Sequence, residues 1–338
     1  MKQSKAYSLV PVADTNGQFS DFSSYVASIN NDQVIAFQAT LKNGVSGIFA
    51  SKSDQIDLVL DSTKSNLKQF YSHPDINFDR RSCFYATNRL GDQGVYCNYD
   101  HGLITLASTR NTFKCIGPLG PTMNEEGKVA YRANFVSGER GIFIGSHEAR
   151  IVVADTCDRF DDFQGLPVIN NLGTVVFRAD LKNGEKGIFI RNGELLEVVV
   201  DTTGGFSDLG LFPMVNDSQT VAFNAALEAG GSGIFTATHG KITKVVDAND
   251  YFESFRGVLI NNPGKIIYYA TPKNGSLGIY CGEDPITDRI ISIGDSLLGS
   301  TIVEFALNPV SINDRNQLAI RIKLADNTQL IVRADPGT

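Results

Sequence analysis

Long apolar runs, basic clusters and paired cysteines are all missing from this sequence of 338 residues. No run of about 18 apolar residues occurs, so the sequence predicts no membrane-spanning helix. The N-terminal segment MKQSKAYSLVPVAD has two lysines, but Pro11 interrupts its short apolar run, which is too weak for a signal peptide. We therefore expect a cytoplasmic protein with no membrane partner.

The charged residues are interspersed and form no basic face. The formal net charge is −7, from 30 lysines and arginines against 37 aspartates and glutamates. A protein that binds nucleic acid ordinarily presents clustered basic side chains to the phosphates. We therefore predict no nucleic-acid partner.

The cysteines form no pattern that is typical of a metal site. Cys83, Cys97, Cys115, Cys157 and Cys281 include no CxxC pair, and no histidine stands at ligand spacing from them. We predict no metal, no cofactor and reduced thiols. Cys83 and Cys97 could lie on neighbouring strands and would pair only in an exported protein.

One short segment recurs along the whole sequence. INNDQVIAF, INNLGTVVF and VNDSQTVAF are three copies, and each has an asparagine after an apolar residue. A repeat period of roughly 20–50 residues indicates stacked supersecondary units. We call the repeated asparagines the anchor asparagines; they are Asn30, Asn77, Asn124, Asn170, Asn216, Asn261 and Asn313.

Each unit has the pattern of four short antiparallel strands. In most units an aromatic residue follows the anchor by seven positions and an alanine follows two positions later, which puts both on one face of a strand. Turns rich in Asn and Gly, such as LKNG, join this strand to a Gly-Ile-aromatic strand as a hairpin. A third strand ends in Asp in several units, where the carboxylate accepts backbone N–H groups. A fourth apolar segment leads to the next anchor.

Seven such units predict an all-β fold, a seven-bladed β-propeller that forms a single domain over residues 1–338. Four-stranded sheets with two apolar faces have to stack on one another, and closing the stack into a ring leaves no open end. The C-terminal QLIVRAD is one strand short of a blade, and the N-terminal AYSLVPVAD has the pattern of the missing strand. We expect the N-terminal strand to complete the last blade.

The repeat resembles the bacterial tandem-repeat family named for the motif NxxGxxAF. NEEGKVAY from Asn124 and NNLGTVVF from Asn170 carry this motif. Other units have a different residue where the motif has Gly, namely Gln33, Arg80, Gln219 and Asn316. The resemblance covers nearly the whole chain, implies a propeller-like fold and supplies no catalytic residues.

A single functional site has to use residues that differ between blades, because residues that recur in every blade serve the blade. Charged and aromatic side chains break the repeat in the loops that lead into units three, four and six. His73 lies in the strand nearest the axis, where it could reach the channel. The predicted ligand-binding residues are His73, Arg110, Lys114, Asp158, Arg159, Asp162, Tyr251, Glu253 and Arg256.

GDSL, from Gly294 to Leu297, is the signature of a lipase class with a serine nucleophile. The helical context of that class and its downstream Asp and His are missing here. We interpret the motif as structural, with Asp295 as another strand-ending aspartate.

The predicted function is binding of a small polar ligand or a protein partner, by a monomer, at the mouth of the central channel. The alternative is an enzyme that uses the same funnel, either a hydrolase or lyase or a cyclising or alkylating enzyme of a bacterial natural-product pathway. The sequence leaves both open because propellers host both kinds of function.

Overall fold

Each repeated unit folds as one antiparallel sheet in the computed structural model of the chain, and there are seven such sheets. The structure describes residues 6–22, 26–53, 55–99, 102–110, 112–248 and 251–337. Strand β1 (Tyr7–Asp14) comes first in the chain and belongs to the last blade. The predicted seven-bladed all-β fold is confirmed.

The other strands follow in chain order, which within a blade is also the order from the axis outward. Blade 1 has β2 (Phe19–Phe22), β3 (Ser28–Ile29), β4 (Ile35–Leu41), β5 (Ser46–Lys52) and β6 (Gln55–Asp61). Blade 2 has β7 (Leu67–Phe70), β8 (Asp75–Ile76), β9 (Ser82–Asn88), β10 (Gln93–Tyr99) and β11 (Gly102–Ser108). Blade 3 has β12 (Phe113–Ile116), β13 (Thr122–Met123), β14 (Val129–Phe135), β15 (Arg140–Gly145) and β16 (Arg150–Asp155).

Blade 4 has β17 (Phe160–Ile169), β18 (Val175–Leu181), β19 (Lys186–Asn192) and β20 (Leu195–Asp201). Blade 5 has β21 (Phe206–Leu209), β22 (Met214–Val215), β23 (Val221–Leu227), β24 (Ser232–Thr238) and β25 (Lys241–Asp247). Blade 6 has β26 (Phe252–Ile260), β27 (Ile266–Pro272), β28 (Gly278–Tyr280) and β29 (Arg289–Ser292). Blade 7 has β30 (Ser296–Leu297), β31 (Ser300–Ala306), β32 (Leu318–Leu324) and β33 (Gln329–Pro336), with β1 at its outer edge.

Prolines interrupt the innermost strand of several blades. A proline stands three residues before the anchor in blades 2 to 5, at Pro74, Pro121, Pro167 and Pro213. Proline has no N–H group to donate to the ladder, so pairing stops there. In blades 2, 3 and 5 the innermost strand is therefore two short pieces, and in blade 4 the register of β17 is irregular between Gln164 and Val168.

The position of the motif's glycine has a left-handed backbone in all seven blades. Gly127 and Gly173 both have φ of 81°, and Arg80, which replaces the glycine in blade 2, has φ of 62°. A side chain in this region costs about 1 kcal/mol or more, which glycine avoids. The motif therefore records a turn geometry that four blades keep without the glycine. The seven residues are Gln33, Arg80, Gly127, Gly173, Gln219, Gly264 and Asn316.

The anchor asparagines form a closed belt of hydrogen bonds around the axis. The Nδ2 group of Asn170, for example, donates to the backbone carbonyl of Asn216 in the next blade at 2.9 Å, while its Oδ1 accepts from the N–H of Thr174 at 2.9 Å. Six anchors donate in this way to the next anchor, and Asn77 donates to the carbonyl of Glu125 instead. The last of them, Asn313, donates to Asn30 of blade 1, which closes the belt.

The repeated aromatic residues form the core of the blades. Phe177 and Phe189 lie opposite each other on β18 and β19, are fully buried, and stack with their ring centroids 5.7 Å apart. Phe160 of β17 meets the Phe189 ring edge-on at 5.0 Å. Stacked pairs at the same two positions occur in blades 1 to 6, so these rings fill the blades and are not a binding platform.

The ring closes between the two ends of the chain, as predicted. β1 pairs antiparallel with β33, and Ser8 lies opposite Asp335. The N–H of Thr15 also donates to the carbonyl of Gln329 at 3.1 Å. The N-terminal strand therefore completes the last blade.

One part of the interpretation of the GDSL segment is wrong, namely the position assigned to Asp295. Asp61 and Asp201 accept backbone N–H groups at the ends of their strands, as expected. In blade 6 the register places Ser292, not Asp295, at the equivalent position, opposite Gly278. Asp295 follows three residues later and accepts from the N–H of Ser292, and Ser296 is exposed.

The cysteines are free thiols. Cys83 and Cys97 are buried and lie directly opposite each other on β9 and β10, so the predicted neighbourhood of these two strands is confirmed. In the described part of the chain, a helix that could cross a bilayer is not found.

We expect the belt to contribute strongly to stability. In Asn170→Asp the acceptor for Thr174 remains, but the donor to Asn216 is lost and a carboxylate is buried against a carbonyl. The free energy of unfolding should fall by roughly 2 kcal/mol or more in urea titrations at pH 7. Asn183→Asp is the control, because Asn183 is exposed and its Oδ1 likewise accepts a nearby N–H. Equal stability of the two variants would contradict the role of the belt.

We expect ring closure to require β1. A chain that begins at Thr15 leaves the β33 edge unpaired, so its melting temperature should fall or the protein should aggregate. A chain that begins at Ala6 keeps β1 and serves as the control. An unchanged melting curve for the shorter chain would show that the ring does not depend on this strand.

Candidate functional site

The central channel has two mouths with different linings. At one end, the anchor mouth, lie the anchor asparagines and the residues that follow them. At the other end, the loop mouth, lie the residues around the interruption of each innermost strand. A layer of buried apolar side chains directly precedes the anchors: Ile29, Ile76, Met123, Ile169, Val215, Ile260 and Ile312.

The anchor mouth carries a second ring in which acids and amides alternate. Asp217 illustrates the pattern, because its two carboxylate oxygens accept from the N–H and the Nδ2 group of Asn171, each at 2.9 Å. Phe78 interrupts the alternation in blade 2 and is 58% exposed. The polar atoms of this ring thus form hydrogen bonds between neighbouring blades, which indicates a structural role. Its other members are Glu125, Asn31, Asn262 and Asp314.

The loop mouth contains a mostly apolar cavity of about 180 Å³. It forms where prolines and irregular register break the innermost strands, so side chains that would otherwise lie in a regular ladder face the channel. Its apolar lining comes from Val26, Leu119, Leu166, Phe212, Val258, Leu259, Leu307 and Pro309. Three polar side chains join them, those of His73, Tyr269 and Asn308.

His73 is held as a neutral imidazole with one nitrogen available. Its Nε2 lies 3.0 Å from the carbonyl of Pro121, and a carbonyl can only accept, so Nε2 carries the proton. Burial lowers the pKa of His73 to about 4, although the bond to Pro121 acts in the opposite direction. Nδ1 is therefore an acceptor, and no described residue donates to it. The ring packs over Gly120, where a Cβ atom would overlap it.

Asn308 supplies a donor to the same cavity. Its Oδ1 accepts from the N–H of Val310 and the hydroxyl of Ser311, each at 3.0 Å. Its Nδ2 is buried and has no hydrogen-bond partner among the described residues. Tyr269 differs, because its hydroxyl is already bonded to the backbone of Leu307. In the described part of the chain, Asn308 Nδ2 is thus a donor without a partner, and it belongs to the same apolar cavity as His73 Nδ1.

Asp75 is a second buried ionisable group of blade 2, on the anchor side of His73. Its carboxylate accepts from the N–H of Ile76 at 2.7 Å and from the N–H of Met123 in blade 3 at 2.6 Å. Burial raises the pKa of Asp75 to about 7, while these two hydrogen bonds act to lower it. Both acceptor oxygens are in use, so Asp75 joins two blades.

Of the nine residues predicted to bind a ligand, only His73 lines the axial cavity. Asp162 lies in a neighbouring cleft between blades 3 and 4, 3.9 Å from Arg132 and 3.4 Å from Arg140. Leu119 borders both spaces.

The other seven predicted residues are exposed, and no contact among the described residues joins one to another. Arg159 stacks over the rings of Phe160 and Phe189, at 5.1 and 5.0 Å from their centroids. Arg110 borders a groove between blades 2 and 3. The remaining five are Lys114, Asp158, Tyr251, Glu253 and Arg256. Asp250, in the same loop as Tyr251, and His101 lie outside the described residues.

Sequence reasoning missed Asn308 and the apolar wall of the cavity. The signal was the residue four positions before each anchor, which is histidine in blade 2, glycine in blades 3 and 6, leucine in blade 4 and phenylalanine in blade 5. Charge was the criterion in the sequence, whereas the candidate cavity lies at the breaks in the innermost strands. Arg132 and Arg140 were also missed, because an arginine on the face of a blade more often pairs with a neighbouring blade than binds a ligand.

Comparison with known proteins supports the architecture. A model of a family of unknown function, DUF7453, matches residues 150–329. No curated protein matches the chain. Among solved structures, an oligogalacturonate lyase from Vibrio parahaemolyticus is similar over 98% of both chains, with a TM-score of 0.61 and 10% identity.

Two further structures resemble the chain to the same degree. An oligogalacturonate lyase in complex with manganese is similar over 99% of both chains, with a TM-score of 0.61 and 9% identity. A puromycin-hydrolysing peptidase of Mycobacterium tuberculosis has a TM-score of 0.60 and 11% identity, over 93% of this chain and 51% of that one. At these identities the likeness concerns the fold alone. Within the described ranges, no group of three or more His, Cys, Asp or Glu side chains could hold a metal ion.

We expect His73 and Asp75 to affect stability in opposite directions as pH changes. The folded-state pKa of His73 is about 4 against an ordinary 6.5, so its contribution declines as pH falls from 6.5 to 4. The folded-state pKa of Asp75 is about 7 against 3.8, so its contribution is full at low pH and declines as pH rises from 4 to 7.

Urea unfolding between pH 4.5 and 7.5 separates the two groups. Relative to wild type, Asp75→Asn should be most destabilised at the acid end, and His73→Gln should gain stability there. Each difference should change by up to about 1.4 kcal/mol per pH unit. Curves that run parallel to wild type would contradict the two shifted pKa values.

Proposed function

Because this chain belongs to the DUF7453 family, a family of unknown function, we propose its function from its own cavity: it binds a small, mostly apolar molecule at the loop mouth. The observation that carries the proposal is a buried donor, Asn308 Nδ2, that has no hydrogen-bond partner among the described residues and that shares an apolar cavity with the acceptor His73 Nδ1. A buried donor without a partner is uncommon in a folded protein, and a ligand that accepts from Asn308 Nδ2 and donates to His73 Nδ1 would offset the desolvation of that donor.

The ligand class follows from the lining. The wall supplies apolar contact on most sides, so the body of the ligand is apolar. Nδ1 requires an N–H or O–H donor on the ligand, and Nδ2 requires an oxygen or nitrogen acceptor. A small amide or hydroxy-ketone with an aromatic or branched body meets these conditions. Such a ligand is more apolar than the small polar ligand predicted from the sequence.

The acid–base properties of the cavity favour binding over the enzymatic alternative. Among the described lining residues, only His73 and Tyr269 can take up or release a proton. Burial lowers the pKa of His73 to about 4 and raises the pKa of Tyr269 above its ordinary value. A general acid or base works best with a pKa near the working pH, and neither group has one.

Benzamide, which carries one donor group and one acceptor on an aromatic ring, is the probe for this proposal. Ligand-observed NMR titration should detect its binding to wild type. His73→Gln keeps a donor for Pro121 but moves the acceptor away from the position of Nδ1, and Asn308→Asp keeps the acceptor for Val310 but removes the free donor. Each variant should weaken binding roughly three- to tenfold, as expected for one hydrogen bond.

His147→Gln is the matched control, because His147 lies in an exposed turn, and it should bind benzamide as wild type does. Toluene, which lacks polar groups, should bind the wild type and the two cavity variants equally. No binding of benzamide to wild type, or equal binding to all variants, would refute the proposal.

A further inference from the structure

Three blades carry an arginine eight residues after the anchor, and one of these arginines is paired differently from the other two. Arg178 lies 2.7 Å from Asp180, and Arg321 forms an ion pair of 2.6 Å with Glu304. Arg132 forms no ion pair shorter than 3.9 Å with a described carboxylate, the one to Asp162. It is also the most exposed, at 14% against 4% and 6%.

Blade 4 shows how the chain balances charge at this position. Arg178 and Lys186 contribute two positive charges toward blade 5. Asp180 contacts Arg178, and Asp208 of blade 5 lies 3.7 Å from Arg178 and 2.9 Å from Lys186. Gln164 also donates to Asp180 at 2.8 Å. Two carboxylates therefore meet two cations.

Blade 3 has the same arrangement with one carboxylate fewer. Asn134 pairs in register with Arg140, as Asp180 pairs with Lys186 in blade 4, so an amide replaces a carboxylate. Asp162 contacts both Arg132 and Arg140 through its two oxygens. Among the described residues of this cluster, two guanidinium groups thus share one carboxylate, which leaves one positive charge uncompensated.

The uncompensated charge faces a cleft of about 490 Å³ at the junction of blades 2, 3 and 4. Arg132, Asn134 and Arg140 line it, and the Nη1 group of Arg132 is fixed by a 2.8 Å bond to the carbonyl of Gly165. Burial lowers the pKa of Arg132, Asp162 acts to raise it, and the nearby charge of Arg140 acts to lower it further. An added anion would relieve both unfavourable effects.

We propose that this cleft binds the carboxylate group of a small molecule, with Arg132 and Arg140 as its partners. The charge excess of one matches a single carboxylate, and a carboxylate is the group that the chain itself supplies at the equivalent place in blade 4. Guanidinium groups bind carboxylates with paired, charge-assisted hydrogen bonds. The site is separate from the axial cavity, since neither His73 nor Asn308 belongs to it.

Isobutyrate is the probe, isobutyramide its neutral counterpart, and inorganic phosphate the competing oxyanion. In NMR titrations at low salt the wild type should bind isobutyrate and not isobutyramide. Asn134→Asp gives blade 3 the charge balance that blade 4 has, and it should weaken isobutyrate binding at least fivefold. Arg140→Gln should weaken it to the same extent. Lys186→Gln removes the equivalent charge of blade 4 and should leave isobutyrate binding unchanged.

Melting curves provide a second readout that does not depend on a titration. Isobutyrate should raise the melting temperature of the wild type more than that of Asn134→Asp, and Asn134→Asp should melt higher than wild type without any anion. Benzamide binding should be unaffected by Asn134→Asp, so a failure at the cleft is distinguishable from a failure at the axial cavity. Isobutyrate binding that ignores both Asn134→Asp and Arg140→Gln would overturn the proposal. Phosphate binding as tight as that of isobutyrate would overturn the assignment to a carboxylate.

Discussion

The belt of anchor asparagines is the constraint on which the rest of the structure depends. One amide side chain performs two tasks at once, since its oxygen holds the turn of its own blade and its nitrogen holds the next blade. Only asparagine and glutamine carry this uncharged pair of acceptor and donor on one amide, and asparagine holds it closer to the backbone. The repeat therefore retains asparagine at this point even where the neighbouring glycine has been replaced, as at Arg80.

A belt at one end of the channel leaves the other end free to vary. The anchors and the apolar layer before them fix the innermost strands, so the residues three to five positions earlier need not form a ladder. Prolines already prevent it in four blades. His73 and Asn308 can therefore differ from their counterparts in other blades without loss of the ring. The proposed ligand site lies where ring formation constrains the sequence least.

The fold could be predicted from the sequence because the pattern of one blade recurs seven times. The anchors, the aromatic pairs and most of the strand-ending aspartates were predicted from their recurrence, and the closing strand from its similarity to its equivalents. Asp295 is the exception, because blade 6 has Ser292 at that position. The candidate site was harder to predict because its residues do not recur. Asn308 occurs once, and its importance lies in an unpaired nitrogen, which depends on which atoms surround it. Arg159 looked functional by its charge, yet it covers two buried aromatic rings.

Pseudo-symmetry supplies an internal reference that a single-copy fold lacks. A buried arginine alone does not indicate a ligand site, because structural ion pairs are common. Beside Arg178, however, Arg132 stands in the same register with the same strand neighbours and with Asn134 in place of Asp180. Both arginines lie opposite an isoleucine in the same strand register, so blade 4 is a close reference for the missing carboxylate of blade 3. In a repeat protein, a specialised position can thus be recognised because it differs from the equivalent positions of the other repeats. Here the difference that stands out is the charge balance around Arg132.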